Sequence, residues 1–403
     1  MVNGGMVSMI VFNDFVSDSR VLKEAESLSK AGFQVEVVAL HFSGRTLEGR
    51  IPYRNFHVNR LKRLPKFLEV FFDGLVSKCN RAYLGSGNSF WYFLKFLIKL
   101  PLFMVLFLRL LFYFWKVRPD IIHSNDVNTL LPGFCAKKFF GTKLVYDAHE
   151  ICVAQEGYRH IKGVLYFLEK WLVHSADAMF TTTELRAKKF CELYGVAMPY
   201  VLNNKPRFKE SKNSQRIRTF LNLDERPIAL YQGGFQSGRG LHNIIRLSTR
   251  MKHVHFVLIG SGPQKFELKR FASKLPAGDN LHFIPHISLR MLHEYTCSAD
   301  LGLQLIRNTC LNHYTTDSNK LFEYLMAGLP IVASNFPEIT KVVKELKCGL
   351  TVDPDDLDAI ESAINKILSD APEQKVRFVD TKKASWEEGA ESILVDRYIE
   401  LAS

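Results

Sequence analysis

Cysteines are few in this 403-residue chain, and they are arranged in no way that makes a site. The seven thiols, at 79, 135, 152, 191, 297, 310 and 348, are scattered, odd in number and contain no CxxC pair. That spacing argues against a disulfide framework and a zinc site, and fits reduced, mostly buried thiols of a cytosolic protein. No basic stretch precedes the first apolar run, MVSMIVF, so a signal peptide is not expected. Internal repeats, low-complexity tracts and the GxGxxG dinucleotide fingerprint are missing too. Acidic residues are the scarcer charge: 53 Lys and Arg against 41 Asp and Glu leave a net +12. No recognised nucleic-acid motif accompanies that excess, so nucleic acid is not expected as the partner.

What is present suits a soluble globular chain of two or three domains, with 47 % apolar and 23 % charged residues. Phe is abundant, at 31 residues, and many of them lie before residue 120. The segment 89–117, SFWYFLKFLIKLPLFMVLFLRLLFYFWKV, is the most apolar. A spanning helix needs about 20 apolar residues without charge, and the longest uncharged run here is the nine residues Leu100–Leu108. On a helical wheel with Lys95 at zero, Lys99 falls near +40°, Arg109 near −40° and Lys116 near −60°. The cations share one arc and apolar side chains fill the rest, the pattern of a helix lying in a membrane interface. A crossover helix with one solvated basic edge is the plainer reading, and Pro101 would kink either. Arg60, Lys62, Arg63 and Lys66, alongside Phe67, Phe71 and Phe72, extend the basic, aromatic region to 54–117. An anionic membrane surface is the expected partner of that region.

Short β-rich runs alternate with helical patterns along the chain. SMIVF (8–12) leads to a helix over Ser19–Ala31, a stop at Gly32 and the strand 34–40. Further strands are expected at 120–124, 143–148, 177–182, 228–233, 255–260, 281–285, 300–305 and 328–334. This alternation implies α/β architecture with parallel sheets, too many strands for one sheet. The polar stretch 204–226 divides the chain into two doubly wound, Rossmann-like domains, 1–205 and 206–380, followed by an amphipathic terminal helix within 381–403. Ligands of such sheets bind beyond the carboxyl ends of the strands, here in the cleft between the domains.

Those ends carry the chemistry. After the first strand, Ser17 or Asp18 would cap the next helix, and Arg20 lies in its first turn, where the dipole disfavours a cation. With Asp14 and Asp18 nearby, Arg20 suggests either an anion or polar ligand, or a local salt bridge. DIIH ends in Ser124, Asn125 and Asp126, and KLVYDAHE in Asp147, His149 and Glu150. In YQGGFQSGRGL, Gly233, Gly234, Gly238 and Gly240 surround Arg239, and a second loop carries Gly260 to Pro263 with Gly262. Glycines admit phosphate close to backbone amides and a guanidinium supplies charge, although a tight βα turn uses glycines too. In TTDSNKLFEYLMAGLPIVAS, a helix beginning near Asn319 puts Lys320 in its first turn and Glu323 one turn later. That pair suits a diphosphate and ribose hydroxyls; a surface Lys–Glu pair is the alternative.

With these motifs the chain resembles a GT-B-fold glycosyltransferase, similar to the large family 4 group of retaining enzymes that includes many bacterial surface-polysaccharide transferases. The carriers are NDFVSDSRVLKEAESLSKAG, RPDIIHSNDVNTLLP, KLVYDAHE, YQGGFQSGRGL and NKLFEYLMAGLPIVASNFPE. The resemblance implies a nucleotide-sugar in the C-terminal domain, an acceptor in the N-terminal domain and a terminal helix near Trp386 that crosses back. Glu323 takes the position of the ribose-binding carboxylate, and Arg239 that of a diphosphate-binding lysine. Gly234 stands where the family often has arginine, Thr315 where it often has glutamate, and Asn125 where it often has a second histidine. The loop Asn312, His313, Tyr314 and Thr315 therefore cannot be copied from better-known members.

The expected activity is transfer of a sugar, with retention, from a nucleotide-sugar to a glycan or lipid-linked acceptor in cell-surface polysaccharide synthesis. The leaving diphosphate would help deprotonate the acceptor, and Arg239, Lys320, the glycine-loop amides and the helix end at Asn319 would stabilise its charge. Gly233, Gly234, Gly240, Gly262, Thr315 and Glu323 complete the expected donor contacts. Asp126, His149 and Glu150 would orient the acceptor or shuttle its proton, beside Asp14, Asp18, Arg20 and Asn125. Domain closure would exclude water. Neither metal nor cofactor is expected, a UDP-sugar is weakly favoured as donor, and the chain would work at the cytoplasmic face of the membrane. A nucleotide-sugar epimerase of the same fold and a catalytically silent, membrane-associated scaffold are the competing readings.

Overall fold

The computed structural model describes residues 4–16, 18–42, 46–62, 71–72, 74–79, 89–155, 158, 160–276, 278–370 and 381–403. Ser17, Arg63, Lys66 and Phe67, named above, lie outside them. The chain forms two compact units: Met1–Thr182, Ala187–Leu202 and Glu391–Ser403 make the first, and Thr183–Arg186 and Asn203–Ala390 the second.

In the first unit β1 (Gly4–Ile10), α1 (Ser19–Lys30), β2 (Phe33–His41), β3 (Gly49–Tyr53), β4 (Phe56–Lys62), α2 (Ser89–Val117), β5 (Ile121–Asn125), α3 (Val127–Phe140), β6 (Lys143–Ala148), α4 (Lys162–Val173), β7 (Ala178–Thr181), α5 (Glu184–Tyr194, shared at its start with the second unit) and β8 (Tyr200–Val201) follow in order. The sheet reads β3-β4-β2-β1-β5-β6-β7-β8, parallel except for the β3/β4 pair. Val7, Met9, Val37, Ile122, Leu144 and Val145 are fully buried, as expected of strands covered on both faces. The stretch read from sequence only as basic thus contains a hairpin, and Arg60 within it is buried, donating from Nε to the Asp14 carbonyl (3.0 Å).

The second unit runs α6 (Arg216–Leu221), β9 (Ile228–Gln232), α7 (Leu241–Arg250), β10 (His255–Ile259), α8 (Lys265–Ser273), β11 (Leu281–Ile284), α9 (Leu289–Thr296), β12 (Leu301–Gln304), α10 (Leu311–Tyr314), α11 (Asn319–Met326), β13 (Ile331–Ser334), α12 (Pro337–Leu346), β14 (Gly349–Val352) and α13 (Leu357–Ser369). Its six strands are ordered β11-β10-β9-β12-β13-β14, and every pair is parallel. The stretch 204–226 is more than a linker, because α6 buries Ile217 in this unit's core. Trp386, also fully buried, donates its amide to Pro206, and only from Ala390 does the last helix, α14 (Ala390–Ala402), begin. That helix packs in the first unit, where Ser27 donates to Glu391 (2.5 Å) and Tyr398 meets His123 (2.5 Å).

Helix α2 has two apolar faces. Leu106, Leu110 and Phe114 are buried, whereas Leu97, Leu100, Met104, Leu108, Phe112 and Trp115 are exposed on the opposite side. Two faces explain why apolar residues cover most of the wheel. By length and composition alone, Leu97–Val117 is sufficient to cross a membrane. Pro101 lies inside the helix without ending it.

Arg20 is not available to a ligand. It is 3 % exposed, and its guanidinium holds Asp147 at the end of β6 through two hydrogen bonds of 2.7 Å, with Leu202 O at 2.7 Å and Glu24 at 3.2 Å. Within the salt-bridge and anion-ligand alternatives, geometry selects the salt bridge. Asp18 caps α1 through the Val21 amide (3.2 Å) and accepts from Asn13 (2.8 Å). Removing the guanidinium would take the principal counter-charge from buried Asp147, so Arg20→Met should lose about 3–5 kcal/mol in urea unfolding. An unchanged midpoint would show that the pair contributes nothing.

Candidate functional site

In the first unit, parallel register places the carboxyl ends of β5 and β6 side by side, with Asn125 opposite Asp147. His149 Nε2 lies 3.0 Å from Asp147 and 3.1 Å from Asn125 Oδ1, and its Nδ1 lies 3.4 Å from Asp126. Burial would lower the imidazole pKa, but Asp126 and Asp147 together more than offset it and raise it to about 10. Asp147 itself is held well below the usual carboxylate range: burial opposes this, and Arg20 and His149 prevail. Both carboxylates thus favour the imidazolium form of His149, which can orient an acceptor, stabilise charge or donate a proton.

Asp126 is the carboxylate of the cluster that keeps an open side, with 36 % of its side chain exposed. Burial and the charges of Asp147 and Glu150 push its pKa up, against His149. Its backbone sits at φ 60°, ψ 166°, a conformation rare outside glycine, and its Oδ1 accepts the His149 amide (3.1 Å). Glu150 is exposed, and Asp14 accepts from the Val16 amide (3.3 Å). Asn125 is buried and also donates to Ile10 O (3.1 Å). Glu24, His123 and Asp147 have ligand atoms within 4.8 Å of one another. Arg20 already supplies the positive charge of that group.

The second unit presents a different kind of site. Glu323 in α11 accepts from Gln232 Nε2 (2.6 Å). Gln232, at the end of β9, is itself fixed by Thr296 Oγ1 on its side-chain oxygen (2.8 Å) and by Tyr324 Oη at its amide (3.0 Å). Lys320, one turn before Glu323, lays its ammonium over the Tyr231 ring, 5.2 Å from the centroid. A Cβ at Gly233 would stand 2.4 Å from Lys320 Cε, so glycine there makes room for the lysine. Burial, with the nearby Arg239 charge, pulls the Lys320 pKa down to about 7. Burial and Arg239 likewise take His313 down to about 4, so its ring is neutral.

A polar cavity of about 540 Å³ opens beside the glycine loop, lined by Gly238, Arg239, Gly240, Arg246, Arg307 and the first residues of α7 among others. Arg307 pairs with Asp355 (2.5 Å), and Arg246 donates to Asn243 (2.8 Å). Gln232, Arg246 and Arg307 were not singled out from sequence, because an isolated Gln or Arg carries no signal until the fold gathers it. Three expected donor contacts read differently here. Thr315 is fully buried and donates its hydroxyl to Leu311 O (2.9 Å), which turns it away from any ligand. Gly240 and Gly262 are glycines because a Cβ would meet Leu305 O at 2.0 Å and Phe235 O at 2.4 Å, a demand of backbone packing. Gly234 is less crowded, its nearest neighbour being the Gln236 side chain at 3.3 Å. Asn319 begins α11 behind Ser318, whose φ of 56° bends the chain into the helix.

Comparison with known proteins agrees with both units. The family model for the glycosyl transferase 4-like domain matches residues 18–202, and that for glycosyl transferases group 1 matches 213–384. The chain belongs to the family 4-like GT-B glycosyltransferases. Curated relatives include glycogen synthase from Mycobacterium tuberculosis, 24 % identical over 63 % of this chain and 61 % of that one, and the sulfoquinovosyl transferase SQD2 from Arabidopsis thaliana, 21 % identical over 74 % and 60 %. The match spans about three fifths of these relatives' length. Among solved structures, sucrose-phosphate synthase from Thermosynechococcus elongatus superposes with TM-score 0.69 at 18 % identity, covering 99 % of this chain and 95 % of that chain. Anabaena HepE in complex with UDP gives 0.67 at 14 %, covering 99 % and 97 %. At such identities these likenesses establish the fold.

The depressed Lys320 pKa makes a prediction about this glycosyltransferase. At pH 8 the free side chain is largely neutral, and a bound diphosphate would favour its charged form. Binding of a nucleoside diphosphate at pH 8 should then take up close to one proton, and much less at pH 6. Calorimetry in buffers of different ionisation enthalpy reads that uptake, and Lys320→Met should abolish it.

Proposed function

We propose that the chain transfers a sugar from a nucleotide-sugar to a glycan or lipid-linked acceptor, with retention of anomeric configuration, in cell-surface polysaccharide biosynthesis. The observation that carries this reading is Glu323, fixed by Gln232 and followed back along α11 by a lysine over an aromatic ring. A carboxylate held in place accepts ribose hydroxyls without reorganising, and Lys320 with Arg239 meets a diphosphate. Chemistry then consists of stabilising charge on the leaving phosphate, which these groups do without a metal. The first unit would take the acceptor, with Asp126 nearest to an open side and His149 as a fixed positive charge. Anabaena HepE has been crystallised with UDP-glucose, which supports a uridine donor here too.

The membrane reading has its own support. The outer face of α2 exposes Leu108, Phe112 and Trp115, while Phe139, Val164, Phe167 and Trp171 are exposed on α3 and α4 of the same unit. Arg109 and Lys116 are exposed at one edge of the α2 face, and Lys99 is exposed elsewhere on the same helix. This pattern suits peripheral attachment to an anionic bilayer, at the cytoplasmic face where nucleotide-sugars are made.

A thermal-shift screen against UDP-, GDP-, dTDP- and CMP-sugars tests the donor site, since a ligand of the native state raises Tm with its occupancy. One nucleotide should stand out, and Glu323→Ala should weaken it about 10- to 100-fold, the worth of a charged hydrogen bond. A flat screen on folded protein would favour the silent scaffold. Separately, changing Lys95, Lys99, Arg109 and Lys116 to Glu should abolish sedimentation with anionic liposomes. Undiminished sedimentation would end the membrane reading.

A further inference from the structure

A second cavity, about 630 Å³, lies wholly within the first unit, between α2 and the β3/β4 hairpin. Its α2 wall is apolar: Leu108 and Phe112, both more than half exposed, line it. Its other lining is cationic, with Arg60 and Lys62 from β4 and Arg109 and Lys116 from α2. The single acidic lining residue, Glu48, pairs with Lys62 at 2.9 Å. Arg60 and Lys116 form no ion pair among the described residues, and Arg109 shares the Glu48 charge with Lys62. Arg109 is anchored by a hydrogen bond to the Lys62 carbonyl, which holds a guanidinium at the end of β4.

An apolar wall facing an excess of positive charge is complementary to one kind of molecule, an anion joined to a hydrocarbon chain. Position narrows this further. β4 is parallel to β2, which is parallel to β1, β5 and β6 in turn, so Lys62 ends its strand on the sheet edge where Asn125 and Ala148 end theirs. Arg60 also binds the carbonyl of Asp14, in the loop that follows β1. The β4 wall of the groove therefore lies toward the edge that carries Asp126 and His149, with β2 and β1 between them. We infer that it binds the phosphate end and first methylenes of a lipid phosphate, the carrier to which the acceptor sugar is attached. This inference rests on the first unit being the acceptor-binding unit, and it names the acceptor's class: a lipid-linked glycan and not a free one.

The probe is farnesyl phosphate, kept below its critical micelle concentration so that no bilayer takes part, with binding followed by calorimetry on the full chain. It should bind at least tenfold more tightly than farnesol and than inorganic phosphate. Arg109→Glu and Phe112→Asp, both at exposed positions, should each weaken it about tenfold or more with Tm and UDP-sugar binding unchanged. Equal binding of farnesol would reduce the groove to an apolar surface, and equal binding of phosphate to a basic patch; either overturns the inference. Lysophosphatidic acid binding as tightly would reassign the groove to bulk membrane lipid and overturn it too, as would full affinity in both variants. Transfer of sugar to a soluble glycan, measured alongside, separates the outcomes: activity there without farnesyl phosphate binding defeats the groove and leaves the glycosyltransferase reading intact.

Discussion

A buried guanidinium organises the first unit. Arg20 lies in the first turn of α1, where the helix dipole is unfavourable to it, and is stable there because Asp147 faces it with both oxygens. The consequences run outward. Asp147, kept ionised by that pair, is the acceptor that fixes His149. His149 in turn holds Asp126 and Asn125, so the ends of β5 and β6 are tied by charge-assisted bonds. Leu202 O, the third acceptor of Arg20, joins the segment after β8 to the same point. Loss of this ion pair would affect packing and site together, because one network serves both.

The second unit solves a different problem, how to leave charge partly unsatisfied without unfolding. Its site rests on hydrogen bonds from uncharged donors: Thr296 to Gln232, Gln232 to the Glu323 carboxylate, and Tyr324 at the strand end. These fix the carboxylate in place, which keeps Glu323 oriented as an acceptor. The glycine loop contributes by tight backbone approach. Gly240 at φ +70° and Gly260 at φ +153° allow strands and loops to cross at distances that a Cβ would forbid, and so place Arg239 beside Lys320 and His313.

Most of the architecture was readable from period and punctuation. Strands such as 143–148 and 255–260 are uninterrupted apolar runs, as buried parallel strands must be, and the helix starting at Asn319 follows its cap signals. The hairpin over Gly49–Lys62 was missed because its inward positions include Asn59 and Arg60, polar residues satisfied only by tertiary contacts. β14, GLTV, was missed for its shortness. The strand-end reading picked out Asn125, Asp126, Asp147 and His149, which the structure also brings together, but their states were not legible. No sequence feature tells that Thr315 turns inward to Leu311, or that the ring of His149 lies between two carboxylates. Those depend on register between strands distant in sequence.

The contrast between Arg20 and Lys320 shows where such reading stops and geometry must decide. Both are cations in the first turn of a helix, and both looked misplaced for the same electrostatic reason. Arg20 is compensated from within, by a carboxylate on a neighbouring strand, and is closed to solvent. Lys320 has no carboxylate within ion-pair reach among the described residues. Its ammonium is buried against an aromatic face, and burial, with the nearby Arg239 charge, lowers its proton affinity against the pull of Glu323. A cation in that setting is stabilised most by an anion arriving from outside, and the larger the arriving charge, the greater the gain. On the proposed reading, a growing negative charge on a leaving diphosphate would meet that condition better than the intact donor, so the same deficit that weakens the free lysine would favour the transition state over the ground state.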